Sequence, residues 1–158
     1  MMTRFMRSFV TMGLLFCGLA THLIAAENLH WLTNMDQARE TASAQDDLIL
    51  LDFTGSDWCP PCKAVKQRIF STDDFAQAVE GDYVLVEVDF PRSKPQSDAQ
   101  REHNQELADQ YEIMAFPTLI VVDQEGNEID RIMGYPPEGL EGFLQFLQDA
   151  RAKAAKGA

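Results

Sequence analysis

The sequence predicts an α/β fold, a mixed central β-sheet flanked by helices on both faces. Three observations carry that expectation. Residues 48–53, Leu-Ile-Leu-Leu-Asp-Phe, are an almost unbroken apolar run between Asp46-Asp47 and Thr54-Gly55, the pattern of a strand covered on both sides. Residues 83–89 read as a second strand, and the helix-favouring stretch 63–70 between the two makes a βαβ unit. Residues 118–122 and 128–133 flank the turn-rich joint Asp123-Gln124-Glu125-Gly126-Asn127, as expected of a hairpin. With 158 residues and 46% hydrophobic content, the chain can bury one core without dividing into two.

The elements follow in order. Thr33 or Asn34 caps a polar, alanine-containing helix that runs to about Ala44. After the strand at 48–53, a short turn leads to Trp58-Cys59-Pro60-Pro61-Cys62, and the helix beyond it puts both cysteines at a helix N-terminus. Ser71-Thr72-Asp73-Asp74 starts a short helical piece ending near Gly81, before the strand at 83–89. Residues 90–95 hold two prolines and read as a loop. Ser97-Asp98-Ala99-Gln100 opens a polar helix that reaches about Tyr111. Beyond the hairpin, Leu140, Phe143, Leu144, Phe146 and Leu147 recur at helical spacing and lead into a frayed, basic, alanine-rich tail at 151–158.

The N-terminus has its own character. Arg4 and Arg7 precede an apolar run from Phe9 to Ala20 and the small residues Ala25-Ala26, the pattern of a secretory signal over residues 1–26. The run is too short for a spanning helix. Phe16 ahead of Cys17 argues against a lipid-modified cysteine. The expected division is therefore a signal peptide at 1–26, a domain at 27–150 and the tail, with the product periplasmic or secreted. Processing leaves 11 basic residues against 25 acidic, a formal charge of −14, which disfavours nucleic acid as a partner.

Loss of Cys17 leaves two cysteines, both in one Cys-x-x-Cys, so no disulfide framework is available. His30 and His103 are far apart in sequence, and a zinc site would need two further ligands at suitable spacing; no metal is expected. A dithiol at a helix start lies among unpaired N–H groups and the positive end of the helix dipole. Such placement lowers a cysteine pKa from about 8.5 to roughly 3.5–7.5 and favours the attacking thiolate. Cys59 is therefore expected to be the exposed nucleophile and Cys62 the resolving thiol one turn inside.

Asp52-Phe53, Trp58-Cys59-Pro60-Pro61-Cys62-Lys63, Phe116-Pro117-Thr118, Gly126 and Gly134 together resemble the thioredoxin superfamily, over about residues 47–147. Phe53-Thr54-Gly55-Ser56-Asp57, Ile69-Phe70-Ser71 and Val86-Glu87-Val88-Asp89-Phe90 further resemble exported bacterial thioredoxin-like proteins, akin to the C-terminal domain of DsbD-type transmembrane thiol reductases. The resemblance implies a thioredoxin-like fold and a cis bond before Pro117, whose backbone pairs with an incoming substrate while Phe116 shapes substrate choice. Trp58 is expected to pack beside the disulfide and shield it, with a simple core tryptophan as the alternative.

Asp52 ends a doubly buried run, where a carboxylate is costly unless neutral or given a task, and can relay a proton to and from Cys62. The alternative is a strand-end Asp turned to solvent, because the segment to Cys59 is one residue longer than in ordinary thioredoxin. Related reductase domains carry an acid one turn after the second cysteine, where this chain has Lys66. Glu87, alternating within an apolar strand, is expected to face solvent, with an approach to the active site as the alternative.

The function expected is an exported thiol-disulfide oxidoreductase that reduces protein disulfides through Cys59 and Cys62. The alternatives are a disulfide oxidase or isomerase, or a redox-silent binding module using the Pro117 groove. No cofactor is expected, since a Gly-rich dinucleotide fingerprint is lacking. Partners are protein substrates with disulfides and a membrane or periplasmic thiol electron donor, the chain itself acting as a monomer. Pro60 and Pro61 have no N–H to offer the Cys59 thiolate, which makes the reduced form more willing to give up electrons; Lys63 opposes this by its charge. Intact mass of the exported protein should show cleavage near Ala26-Glu27. A product keeping Met1, or carrying lipid on Cys17, would overturn that reading.

Overall fold

The computed structural model describes residues 29–157, so the signal-peptide expectation for residues 1–26 lies outside the described residues. One five-stranded sheet has the order β1-β3-β2-β4-β5, formed by Trp31–Leu32, Tyr83–Asp89, Leu48–Thr54, Thr118–Val122 and Glu128–Met133 respectively. β1, β2 and β3 run parallel, whereas β4 is antiparallel to β2 and β5 to β4. The sheet is mixed, and β1 is an edge strand that the sequence analysis did not assign. Two residues are too short for an alternation to be read; their pairing with Leu85 and Val86 exists only once β3 is in place.

Alternation along the strands sends side chains to two separate cores. Ile49, Leu51, Phe53, Val84, Val86, Val88, Ile120 and Val122 face α1 (Met35–Gln45) and α4 (Asp98–Gln110), which supply Met35, Ala38, Ala42 and Leu107. Leu50, Leu85, Leu119 and Val121 face α2 (Pro60–Val65), α3 (Asp73–Val79) and α5 (Gly139–Gly157). Asp52 and Glu87 fall on this second face by their parity with Leu50 and Leu85.

Caps fix the helix starts. Asn34 accepts from the Gln37 N–H, Thr72 from Phe75 and Ser97 from Gln100. The Gln100 amide donates to Thr33 O and Asn104 Oδ1, and His103 Nε2 accepts from the Met35 N–H at 3.1 Å, so α4 also holds the start of α1. α2 continues as a π-helical turn, Lys66–Phe70, in which the Lys66 carbonyl accepts from both the Ser71 N–H and its hydroxyl. The tail expected at 151–158 is helical to Gly157. Ala150 is buried against the core, and Arg151 and Lys153 form ion pairs with Asp82 and Asp130, which ties the final turns to the domain.

Phe143 fills the centre of the second core, wholly buried among Phe70, Phe75 and Phe146 at ring separations of 5.9, 6.0 and 5.6 Å. Phe143→Ala should destabilise the fold by about 3–5 kcal/mol, read as a lower urea midpoint at unchanged m-value. A loss under about 1 kcal/mol would mean that α5 repacks over the gap.

Candidate active site

β2 is pinned on both sides, with Asp52 opposite Glu87 of β3 and Leu119 of β4. The chain leaves its C-terminal end as Gly55-Ser56-Asp57-Trp58 and turns at once into α2. Cys59 is the N-cap, with extended φ −91° and ψ 107°, and Pro60 and Pro61 occupy the first helical positions. Proline suits this place because the N–H it lacks has no partner in a first turn. The helix thus starts three residues earlier than the side-chain composition from Lys63 suggested.

Cys59 and Cys62 form a disulfide, with Cα atoms 5.3 Å apart. The Cys62 N–H donates to Cys59 Sγ at 3.3 Å, taking the role of a side-chain cap. Each cysteine is 3% exposed in this oxidised form. Cys59 is therefore not the exposed partner that its position implied, since in the disulfide both cysteines are buried alike. Their surroundings distinguish them instead. Cys62, with Asp52, Thr54, Lys63, Lys66 and Glu87, lines a cleft of about 340 Å³.

Asp52 reaches this cleft from below. It is 6% exposed, and its Oδ1 is buried without a hydrogen-bond partner. Burial first, then the negative charge of Glu87, push its pKa up to about 8, with Lys66 pulling the other way. The side chain is held in the interior on the α2 face. Glu87, expected to face solvent, is half-buried: its side chain is 31% exposed and lies 3.8 Å from Lys66 Nζ.

The longer segment before Cys59 is stitched to the residues after β3. Ser56 donates through its N–H and hydroxyl to the Asp89 carboxylate at 2.8 and 2.6 Å. Asp57 accepts from the N–H groups of Arg92, Ser93 and Lys94, and those donors, led by Arg92, hold its carboxyl below the usual range. Lys63 Nζ donates to the Asp57 carbonyl at 2.7 Å. Sequence reasoning missed Asp57, Asp89 and Arg92 because their roles depend on partners more than thirty residues away.

The ring of Trp58 is held from several sides. Its Nε1–H donates to Phe90 O at 2.8 Å, Phe116 meets it edge-on with centroids 5.9 Å apart, and the Arg92 guanidinium lies 3.8 Å above it. Gly55 is another neighbour, and a Cβ there would collide with the indole. A glycine three residues before a tryptophan was the one signal in the sequence for this close approach. Phe116 also packs on Phe90 at 5.2 Å.

The Phe116–Pro117 bond is cis. Thr118 pairs with Phe53, so Pro117 stands at the end of the sheet from which the cysteine segment departs. Its carbonyl accepts from Gly134 N–H at 2.7 Å, and Gly134 takes a φ of 83° that favours glycine.

A family profile described as a thioredoxin-like domain matches residues 35–151. The chain belongs to the thioredoxin-like family. Disulfide bond reductase DsbH of Chlamydia pneumoniae is 37% identical to this thioredoxin-like chain over 130 residues, 82% of the chain and 77% of DsbH. DsbJ of the same organism, a thioredoxin-related protein, is 31% identical over 73% of the chain, which spans 35% of DsbJ. The thiol:disulfide interchange protein DsbD of Klebsiella pneumoniae is 33% identical over 77% of the chain, which spans 18% of DsbD. Among solved structures, a DsbH oxidoreductase superposes with a TM-score of 0.72 at 36% identity, covering 78% of this chain and 84% of the other. The oxidised DsbD C-terminal domain of Neisseria meningitidis shares the fold, with a TM-score of 0.57 at 20% identity over 77% of this chain and 99% of that one.

Burial of Asp52 has a measurable cost. Below about pH 4 the carboxyl is protonated in folded and unfolded chains alike. Between there and its folded value of about 8, the folded chain keeps a proton that the unfolded chain has released, so stability falls as pH rises. Asp52→Asn removes this penalty. In the disulfide form its urea stability should match the parent near pH 4 and exceed it increasingly towards pH 8, by on the order of 1.4 kcal/mol per pH unit at most. A difference that does not vary with pH would return Asp52 to the solvent-facing alternative.

Proposed function

We propose that this chain is an exported thiol-disulfide oxidoreductase that reduces protein disulfides, with Cys59 as nucleophile, Cys62 as resolving thiol and Asp52 as proton relay. The observation that carries the reading is the buried Asp52 carboxyl, with its Oδ1 unpartnered and its pKa raised, sharing one cleft with Cys62 at the start of α2. The names of the DsbH and DsbD relatives support the same chemistry.

The cycle begins with the Cys59 thiolate attacking a substrate disulfide. A Cys59–substrate disulfide forms, and the substrate's other sulfur leaves as a thiolate that takes a proton from water. Cys62 then loses its S–H proton to the Asp52 carboxylate and attacks Cys59 Sγ. The Cys59–Cys62 bond forms, the second substrate sulfur is released, and two electrons have passed to the substrate. Asp52 ends this step protonated, which agrees with its raised proton affinity in the disulfide state. Recharging runs in reverse: a thiol donor attacks Cys59, and Asp52 returns its proton to the departing Cys62 sulfur.

The role of reductant rests on the donors around Cys59. Pro60 and Pro61 offer none, leaving the Cys62 N–H at 3.3 Å, and the Lys63 ammonium is engaged by the Asp57 carbonyl. A thiolate with few donors is a better electron source. Trp58, Phe116 and Pro117 form the substrate-contacting side, where the backbone at Pro117, just ahead of β4, pairs with a peptide. Substrates are disulfide-containing proteins met outside the cytoplasm by a monomer, and a membrane or periplasmic thiol protein restores the dithiol.

Cys62→Ala should lose turnover on a model disulfide protein yet accumulate a reductant-sensitive mixed disulfide at Cys59, whereas Cys59→Ser should do neither. Equilibration with glutathione should give a potential nearer the thioredoxin value of about −270 mV than the DsbA value of about −120 mV. A value near the latter would make the protein an oxidase, and full activity in Cys59→Ser would reject the mechanism.

A further inference from the structure

Basic side chains are scarce in this chain, 11 beyond residue 26 against 25 acidic, so a cation within reach of a carboxylate is expected to pair with it. Away from the cysteines that is what happens: Arg101, Arg131, Arg151 and Lys153 close on Asp98, Glu128, Asp82 and Asp130 respectively. The segment before Cys59 breaks the pattern. Lys63 Nζ donates to the Asp57 carbonyl at 2.7 Å, Lys94 Nζ to the Ser56 hydroxyl at 3.0 Å, and the Arg92 guanidinium rests 3.8 Å over the ring of Trp58. All three cations are exposed and each has a neutral partner. Among the described residues none of them is in an ion pair.

The acids nearby do not discharge them. Asp57 turns its carboxylate to the backbone N–H groups of Arg92, Ser93 and Lys94, and Asp89 turns its own to the N–H and hydroxyl of Ser56. Lys66 and Glu87 offset each other at 3.8 Å. Three cations against two carboxylates turned to the loop backbone leave a positive rim on a chain whose formal charge beyond residue 26 is −14. The rim also has a telling position. Ser56-Asp57-Trp58 leads directly into Cys59, and Trp58 meets Phe116 beside Pro117.

We propose that this rim selects acidic substrates: Arg92, assisted by Lys94 and Lys63, receives an Asp or Glu that flanks the disulfide attacked by Cys59. The proposal rests on the thiol-exchange reading above. A guanidinium supported on an aromatic face keeps its fork of N–H groups for a carboxylate, which it can grip bidentately. The two ammonium groups add attraction of longer reach. A side chain next to the attacked disulfide arrives beside Trp58 as soon as sulfur meets sulfur, so the rim favours the encounter and leaves the sulfur chemistry as it is.

A short peptide segment fits this rim better than an anionic membrane does. A membrane presents its charge to the whole chain, whose other surfaces repel it, whereas a peptide touches only the rim. The exchange step balances as before. The Cys59 thiolate attacks one substrate sulfur, the substrate S–S bond breaks as the Cys59–substrate disulfide forms, and the departing thiolate takes a proton from water. Arg92, Lys94 and Lys63 gain or lose neither electrons nor protons in it.

The test uses the Cys62→Ala chain, which stops at the mixed disulfide, and peptides whose single cysteine is activated as a pyridyl disulfide and flanked by glutamates, glutamines or lysines. Release of thiopyridone reports the attack. Each rate is divided by that of mercaptoethanol with the same peptide, which removes differences among the peptides themselves. At low salt the glutamate peptide should react at least about 10-fold faster than the lysine peptide, and the ratio should fall towards one near about 1 M salt. Arg92→Gln with Lys94→Gln, in the same background, should bring the low-salt ratio within about 3-fold of one. Lys156→Gln, which removes an exposed cation in the last turn of α5 beside the start of β2, should leave it unchanged. A ratio near one in the parent, or one that survives the double substitution, would overturn the proposal. Retention on phosphatidylserine vesicles without any peptide preference would overturn it too. Failure to exchange with all the peptides, the uncharged glutamine one included, would instead reject the thiol-exchange reading itself, so the two failures are distinguishable.

Discussion

A carboxyl group buried under a thiol is the constraint around which this site is arranged. Asp52 cannot move to water, because its backbone lies in the middle of β2 with ladders to β3 and β4 on both sides. A shift of one residue would exchange the two sets, moving Leu50 and Asp52 into the first core and Leu51 and Phe53 into the second. The hydrophobic strand that stabilises the domain thus also raises the proton affinity of an acid. Val65 and Ile69 hold the helical segment after Cys59 against the same face, and Cys62 and the acid line one cleft. Packing energy and proton affinity are two consequences of one register.

The approach to the sulfurs depends on a different economy of polar groups. Residues 90–96 form a loop with backbone N–H groups that need partners, and Asp57 satisfies three of them in succession. Asp89 and the Phe90 carbonyl return the connection to Ser56 and Trp58. The segment preceding Cys59 and the loop following β3 are consequently one unit, and Trp58, Phe90 and Phe116 form its apolar floor. This gives the wall beside Pro117 a defined shape without secondary structure. It also commits the carboxylates of Asp57 and Asp89 to loop geometry.

In the proposed cycle, electron and proton movements are coupled through these two arrangements. The helix start, with its proline pair and single N–H donor to Cys59, sets how readily electrons leave. The buried acid, flanked by Lys66 and Glu87, sets where the accompanying proton waits. Because the two controls use different residues, a change in substrate preference near Trp58 and Phe116 need not disturb either one.

The sequence by itself determined the strands at 48–53, 83–89, 118–122 and 128–133, the capped helices and the Cys-x-x-Cys at a helix start. Apolar runs, capping residues and turn residues are local signals, and each lies within one stretch of chain. It also singled out Asp52, since a lone acid in a buried strand violates the local pattern. Only the tertiary structure decided what surrounds these residues. The two-residue β1, the equal burial of both cysteines, the half-burial of Glu87 beside Lys66 and the capture of the 90–96 loop by Asp57 all require partners distant in sequence. Hydrogen bonds and charge pairs are short-ranged, so which residues share them is fixed when β2, β3 and α2 come together, and not before.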